Sequence, residues 1–311
     1  IVFMGTPEFA VETLNQILLA GFEVAGVITA PDRPSGRGRK LQQSAVKEFA
    51  VKKGLKVLQP INLKSPDFLQ DLKSLDPNVQ VVVAFRMLPK EVWQMPELGT
   101  FNLHASLLPQ YRGAAPINWA VINGEKITGA STFFIDEKID TGKMILQKEI
   151  DIEEEENVGQ LHDRLKTIGA GLVVQTLKLI EQGEVQTRKQ VDHENLKDAP
   201  KLDKENTKID WEKDPTRISN FVRGLDPYPG AWSWFENGDE DKVQMKIYKV
   251  RTEIMPHDMA PGTIMVEGKS LKVAVEKGFI ELLQIQLPGK RKMETGELMN
   301  GFKLKAGSKV F

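Results

Sequence analysis

The chain has 311 residues, a length that suggests two domains with proper apolar cores. Its 42 Lys and Arg against 43 Asp and Glu leave a formal charge of -1, which excludes a globally basic nucleic-acid binder and sends any polyanion to local patches. With no cysteine, disulfides, thiolate nucleophiles and cysteine-ligated metal centres are excluded. No apolar run approaches the roughly 18 residues that a membrane span needs, and Ile1-Val2-Phe3-Met4 opens the chain without a basic leader or cleavage signal. The expectation is a soluble, cytoplasmic protein with no membrane partner and with at least one residue preceding Ile1.

Residues 1–4 read as a buried strand, 9–19 as a helix, 23–29 as a strand, 45–53 as a helix, 56–58 as a short strand and 66–75 as a helix. Residues 79–85, nearly all Val and Ala, read as a fully buried strand. The alternation predicts right-handed βαβ units and a Rossmann-like, doubly wound, mostly parallel α/β sheet, with ligands beyond the carboxyl ends of its strands. The first turn, Gly5-Thr6-Pro7-Glu8, has one glycine where a dinucleotide fingerprint needs three. Pro7 lacks an N–H for a phosphate and Glu8 repels one, so a capped helix start, with Thr6 as cap, is expected there.

Residues 31–40, Pro-Asp-Arg-Pro-Ser-Gly-Arg-Gly-Arg-Lys, put Arg33, Arg37, Arg39 and Lys40 on a Pro- and Gly-punctuated loop. Such a loop is either a solvated surface segment or a phosphate contact, and its place on the rim after the second strand favours the contact.

The stretch 101–142 carries the chemistry. Asn102 and His104, two apart in the apolar run Phe101-Asn102-Leu103-His104-Ala105, share one face of a strand. Ile135-Asp136-Glu137-Lys138-Ile139-Asp140-Thr141-Gly142 follows a second β-branched and aromatic run and can return Asp140 towards the imidazole. Taken singly each is an ordinary strand-end or turn residue; together they form an amide, imidazole and carboxylate set able to handle a polarised carbonyl. His162 and His193 have no such partners and are expected to be structural.

Beyond it, 144–152 reads as a strand, 153–156 as an acidic tract ahead of the helix 158–182, and 183–207 as a polar linker. A helix over 215–224 and strands over 231–235, 243–254, 262–266, 270–276 and 279–287 suggest a closed or partly closed β-barrel. Lys290, Arg291 and Lys292 give it a local basic rim.

Met4-Gly5-Thr6-Pro7-Glu8-Phe9-Ala10, the basic loop, the run from Phe101-Asn102-Leu103-His104 through Ser106-Leu107-Leu108-Pro109 to Glu125, Ile139-Asp140-Thr141-Gly142, Asp226-Pro227-Tyr228-Pro229 and Leu287-Pro288-Gly289-Lys290 together resemble the methionyl-tRNA formyltransferases, over nearly the whole chain. The resemblance implies a catalytic domain over 1–182, a linker over 183–207 and an oligonucleotide-binding (OB-like) barrel that binds tRNA over 208–311. It implies transfer of a formyl group from 10-formyltetrahydrofolate, as co-substrate, to the α-amine of methionine on initiator Met-tRNA. Asn102 and His104 would donate to the developing oxyanion and Asp140 would orient His104 and relay protons. Phe85, Arg86, Met87 and Leu88, with Ser106, Leu107, Leu108 and Pro109, match folate-lining segments, and Arg33, Arg37, Arg39, Lys40, Lys290, Arg291 and Lys292 would meet tRNA. No metal is expected, since the donors meet what the reaction asks of a Lewis acid, and a monomer is expected because two domains around one tRNA need no partner.

Arg86 and Glu137-Lys138 depart from the pattern, where many relatives carry glycine. Rival readings are a formyltransferase acting on glycinamide ribonucleotide or on an amino-sugar nucleotide, and a non-catalytic RNA-binding protein. Arg37→Ala is expected to lower formylation of initiator tRNA severely while leaving folate binding intact; an unchanged rate with Met-tRNA in a formylation assay removes the loop from the mechanism.

Overall fold

The structure, a computed structural model, describes residues 1–35 and 40–311. Arg37 and Arg39 lie outside the described residues, as does the side chain of Lys40. The chain divides into two compact units, one of Ile1–Pro116, Ile127–Asp151 and His162–Asp198, the other of Ile117–Lys126, Ile152–Leu161 and Ala199–Phe311.

In chain order, the elements begin with β1 (Val2–Gly5), α1 (Glu8–Leu19), β2 (Gly26–Ile28), β3 (Arg33–Ser35), β4 (Lys40–Gln42), α2 (Ala45–Lys52), β5 (Val57–Leu58), α3 (Pro66–Ser74) and β6 (Gln80–Val83). They continue with α4 (Lys90–Trp93), β7 (Thr100–His104), β8 (Arg112–Gly113), α5 (Pro116–Ile122), β9 (Ile127–Phe134), β10 (Met144–Asp151), α6 (Val158–Gln182) and β11 (Asp198–Ala199).

The main sheet of the first unit has the order β10-β9-β7-β6-β1-β2-β5. The five strands from β7 to β5 run parallel, and β9 and β10 extend the sheet antiparallel beside β7. The chain moves outward from β1 to β2 and β5 on one side and returns to build β6 and β7 on the other. That reversal opens a crevice beyond the carboxyl ends of β1 and β6, one strand from the end of β7. β1 and β6 are buried along their whole length, apolar throughout except for Gln80 at the start of β6, whose Oε1 accepts from Thr100 at 3.0 Å. One sheet face packs Val2, Met4, Ile28 and Val82 on Phe68 and Leu72 of α3, each such buried side chain contributing about 1.5–3 kcal/mol. On the other face, Thr176 of α6 meets Thr132 of β9 hydroxyl to hydroxyl at 2.8 Å, which satisfies two buried polar groups at once.

Pro7, not Thr6, caps α1, because Pro7 takes an extended backbone (φ -80°, ψ 175°) that postpones the first helical residue to Glu8. The strand expected over 23–29 shortens to Gly26–Ile28, since the ladder begins only where Val2 offers Gly26 a partner. The two ends of the basic loop pair as an antiparallel ribbon, Arg33 opposite Gln42. Among the described residues no helix is long and apolar enough to cross a membrane.

The second unit holds α7 (Pro215–Arg223), β12 (Ala231–Glu236), β13 (Val243–Ile254), β14 (Ile264–Glu267), β15 (Ser270–Val275), β16 (Gly278–Gln286), β17 (Met293–Glu294), α8 (Thr295–Leu298) and β18 (Lys309–Val310). Its antiparallel sheet runs β14-β15-β16-β13-β12-β18, with β17 on β16. A bridge from Thr263 to Lys309, and the bond from the N–H of Val310 to the carbonyl of Gly262 (2.9 Å), bring the last strand back to the first. The result is a nearly closed barrel, filled by Trp211, Phe235, Ile247, Val273, Ile280 and Leu282 and covered by Ile218 and Val222 of α7. Asp214 caps α7 through the N–H of Arg217 (3.0 Å), ahead of Pro215 in the first turn.

Gly129, in β9, is where the sheet of the first unit tolerates least. A Cβ there would lie 2.1 Å from the carbonyl oxygen of Lys148 on β10 and 2.6 Å from a methyl of Leu107. Backbone in a ladder cannot retreat, so Gly129→Ala is expected to destabilise the protein by about 1–3 kcal/mol, read as a lowered urea midpoint.

Candidate active site

β7 carries the site because its partners are fixed on both sides: Asn102 lies opposite Val82 of β6 and Phe133 of β9. Asn102 and His104, separated by one residue, leave the strand on the same face. Leu103, between them, points away and is met by Gly169 of α6, whose Cα position would place a Cβ only 2.9 Å from a Leu103 methyl. Half-buried Asn102 makes no side-chain hydrogen bond to any other described residue, so its carboxamide is free to donate.

His104 is buried, with 6% of its surface exposed. Its Nε2 lies 2.7 Å from the carbonyl oxygen of Tyr111. A carbonyl only accepts, so Nε2 carries the hydrogen and donates it. Nδ1 is then the nitrogen that can take up a proton, and it faces Oδ2 of Asp140 at 3.7 Å. The same Oδ2 accepts from the N–H of Gly113 at 3.0 Å. The sequence-predicted set of Asn102, His104 and Asp140 is therefore brought together in the first unit, but the expected donation from His104 to an oxyanion is corrected: its Nε2 hydrogen is spent on Tyr111, which leaves Asn102 as the donor.

The turn that returns Asp140 is specified residue by residue. Asp136 accepts from the N–H of Lys138 (3.0 Å) and the hydroxyl of Thr141 (2.8 Å), closing the loop on itself. Glu137 reaches out to Lys90 at 3.1 Å and Lys138 is exposed, so their departure from the familiar pattern falls on the outer side of the turn. Gly142 is obligatory, since a Cβ would sit 1.7 Å from the carbonyl oxygen of Phe134. Asp140 (φ +55°) and Tyr111 (φ +60°) are both held in the left-handed region, at a cost of about 1–3 kcal/mol each.

The segment after β7 is locked by one buried hydroxyl. Ser131 Oγ donates to the carbonyl of Ser106 (2.6 Å) and accepts from the N–H of Leu108 (3.1 Å) and from Nε2 of Gln147 (2.9 Å). The Ser106 hydroxyl is committed to the carbonyl of Gln110 (2.6 Å), and Leu108 packs with Phe133 and Met144. Leu107 and Pro109 are half-buried, the latter after a cis peptide bond.

Of the other predicted folate residues, Leu88 is in the core and Phe85 packs against it, while Met87 is 65% exposed. Arg86 lies beside the Phe85 ring and donates to the carbonyls of Ile61 (2.9 Å) and Pro60. Burial, and then the like charge of Arg33, lower its guanidinium below its ordinary value. Arg33 is exposed and makes no ion pair among the described residues. Its neighbour Asp32 is anchored by Lys47 (2.5 Å) and Gln59 (2.8 Å), whose hydrogen bonds hold the carboxyl below its usual range.

In the second unit the basic rim is partly neutralised by its own chain. Lys292 pairs with Asp226 at 3.0 Å and stands 4.1 Å from the centre of the Tyr248 ring, while Arg291 pairs with Glu297 at 2.7 Å. Lys290 is exposed and makes no ion pair among the described residues. His162 packs on Phe9, ring to ring at 5.1 Å. With Glu8 and Asp163 it brings three metal-type ligand atoms within 4.8 Å, but Lys166 already bonds Glu8 (2.7 Å) and Asp163 (3.3 Å) with its own positive charge.

Gln190 is a further residue of the site. It lies in the aperiodic stretch 183–207, and its amide donates to the carbonyls of Asp140 (2.8 Å) and Gly142 (2.9 Å). No hydrophobic period or motif marks it; only its fold neighbours do.

This architecture agrees with known proteins. The formyl transferase family model matches residues 1–177 and the formyl transferase C-terminal domain model residues 201–303. The methionyl-tRNA formyltransferase of Flavobacterium johnsoniae is 55% identical over 100% of this chain and 98% of its own, and that of Bacteroides thetaiotaomicron 49% identical with the same shares. Among solved structures, the N-formyltransferase of Helicobacter canadensis, in complex with folinic acid and dTDP-3-aminofucose, shares the fold with a TM-score of 0.65 at 19% identity, covering 90% of this chain and 97% of that one. Phosphoribosylglycinamide formyltransferase of Bacillus halodurans matches with a TM-score of 0.51 at 25% identity, covering 59% of this chain and 96% of its own. With both family models matched across its two units, the chain belongs to the formyl transferase family.

Proposed function

We propose that the chain transfers the formyl group of 10-formyltetrahydrofolate to the α-amine of methionine on initiator Met-tRNA, in the cytoplasm and as a monomer. The observation that supports it best is the uncommitted carboxamide of Asn102 beside an imidazole whose Nδ1 faces the Asp140 carboxylate at 3.7 Å. This donor set fits an acyl carbon attacked by an amine. Reduced folate supplies the formyl group on N10.

Asn102 donates to the formyl oxygen as it gains charge, and the strand holds that donor in place before the reaction begins. The attacking α-amine, with an ordinary pKa near 7.7–8.0, is largely protonated at neutral pH and needs an acceptor. Nδ1 of His104 provides one, and Asp140 stabilises the imidazolium that forms. In becoming an amide N–H the ammonium gives up two protons: one passes to solvent before attack, and the one that Nδ1 takes up during attack is returned to the departing N10. The end of β6 and the segment 106–109 lie on the same rim and would line the folate, chiefly through Phe85, Arg86, Met87, Leu107, Pro109 and backbone groups. Arg33, exposed and without an ion pair among the described residues, would meet tRNA phosphate with Arg37, Arg39 and Lys40, and the barrel would add Lys290 and, after exchange of partners, Arg291 and Lys292.

The decisive experiment offers 10-formyltetrahydrofolate with Met-tRNA, glycinamide ribonucleotide or an amino-sugar nucleotide. Met-tRNA is expected to gain the formyl group and the others not; formylation of either alternative in its place overturns the proposal. In the same assay Asn102→Ala is expected to lower kcat by about 10²–10³-fold and His104→Ala by about 10²–10⁴-fold, with both variants still folded by circular dichroism. Near-normal turnover in either removes that residue from the chemistry.

A further inference from the structure

Gln190 occupies a junction that neither the motif nor the proton chemistry explains. Its Nε2 donates to two carbonyls of the turn that presents the carboxylate, those of Asp140 (2.8 Å) and Gly142 (2.9 Å). Its Oε1 accepts from Nε (3.1 Å) and Nη2 (2.8 Å) of Arg112. A guanidinium has donors only, so it must meet the amide oxygen, which turns the amide nitrogen towards the two carbonyls. Arg112 is itself steadied by Asp192 at 2.8 Å. The next residue, Gly113, gives the N–H that holds Oδ2 of Asp140 at 3.0 Å. Gln190 therefore joins the two backbone segments that fix the carboxylate: the 140–142 turn that carries it and the 112–113 strand that hydrogen-bonds it. The bracing segment is tied down in its turn, since Arg188 and Met144 exchange both backbone hydrogen bonds (2.8 and 2.9 Å) two residues before Gln190.

A brace is needed because Asp140 is an aspartate in the left-handed region, at φ +55°. Relaxation of that residue towards an ordinary conformation would swing its carboxylate away from Nδ1 of His104. Two charge-neutral hydrogen bonds to the carbonyls on either side of the turn oppose this without placing any further charge near the imidazole. We infer that Gln190, oriented by Arg112, is the positioning residue that keeps the Asp140 carboxylate aligned on His104 for formyl transfer. The inference rests on the proposed roles of His104 and Asp140.

The test is steady-state formylation of Met-tRNA by the full chain carrying Gln190→Ala, Gln190→Glu, Asp140→Asn, or Asp140→Asn combined with Gln190→Ala. Gln190→Glu keeps an acceptor for Arg112 but cannot donate to the two carbonyls, so it separates positioning from anchoring. Both Gln190 variants are expected to lose about 10–100-fold in kcat, with KM for Met-tRNA and for 10-formyltetrahydrofolate within about twofold of the parent. In the Asp140→Asn background Gln190→Ala is expected to cost nothing further, because two residues acting through one contact are not additive. Normal kcat in Gln190→Glu, an effect confined to thermal melting, or losses that multiply with Asp140→Asn would each overturn the inference. Full activity of Asp140→Asn alone would instead overturn the role of the carboxylate, so the two failures are distinguishable.

Discussion

The carbonyl of Tyr111 accepts a hydrogen bond from His104 at 2.7 Å, and the protonation pattern of the site follows from that contact. It fixes the hydrogen on Nε2 and leaves Nδ1 turned to Asp140. For the contact to form, the chain must double back within seven residues of His104, and Tyr111 must accept a left-handed backbone. The reversal is held from both sides, by the Ser131 hydroxyl beneath the segment and by the bond from the N–H of Tyr111 to the carbonyl of Lys197 at 2.6 Å. The buried polar groups here are paired with one another, which makes the segment rigid rather than merely tolerated.

Behind this local geometry stands the sheet. β7 is gripped between a parallel and an antiparallel neighbour, so neither its twist nor its register can change without disturbing both. A register slip of one residue would turn Asn102 and His104 to the opposite face and bring Leu103 into the crevice. Phe101, fully buried on that opposite face, opposes the slip with its apolar surface. The free carboxamide of Asn102 is thus held by groups that take no part in the chemistry.

The parts of this molecule legible in the sequence were those governed by local period and by short, crowded motifs. The βαβ alternation, the 25-residue helix α6 and the barrel strands followed from apolar spacing, and Asn102, His104 and Asp140 from the stretch between Phe101 and Gly142. The requirement for glycine at 142 also acts locally, through the carbonyl of Phe134 eight residues earlier. What escaped depends on long-range pairing. Arg112 and Gln190 are 78 residues apart, and nothing near either announces the other. Ser106 and Leu108 matched a folate-lining segment by pattern, yet the structure commits the hydroxyl of one to Gln110 and the side chain of the other to Phe133 and Met144. Lys292 stood in a basic run, but its charge is met by Asp226, 66 residues away.

The closure of the second unit carries a consequence for its behaviour in crowded solution. Open sheets present rows of unsatisfied N–H and C=O groups that recruit strands from other molecules. Here β14 and the final strand cover each other's margins through Gly262, Thr263 and Ile264 on one side and Ser308, Lys309 and Val310 on the other. Displacing the strand Lys309–Val310 would uncover two such margins at once, that of β12 and that of β14. One short strand thereby keeps two sheet margins from standing open, a role quite separate from holding any substrate.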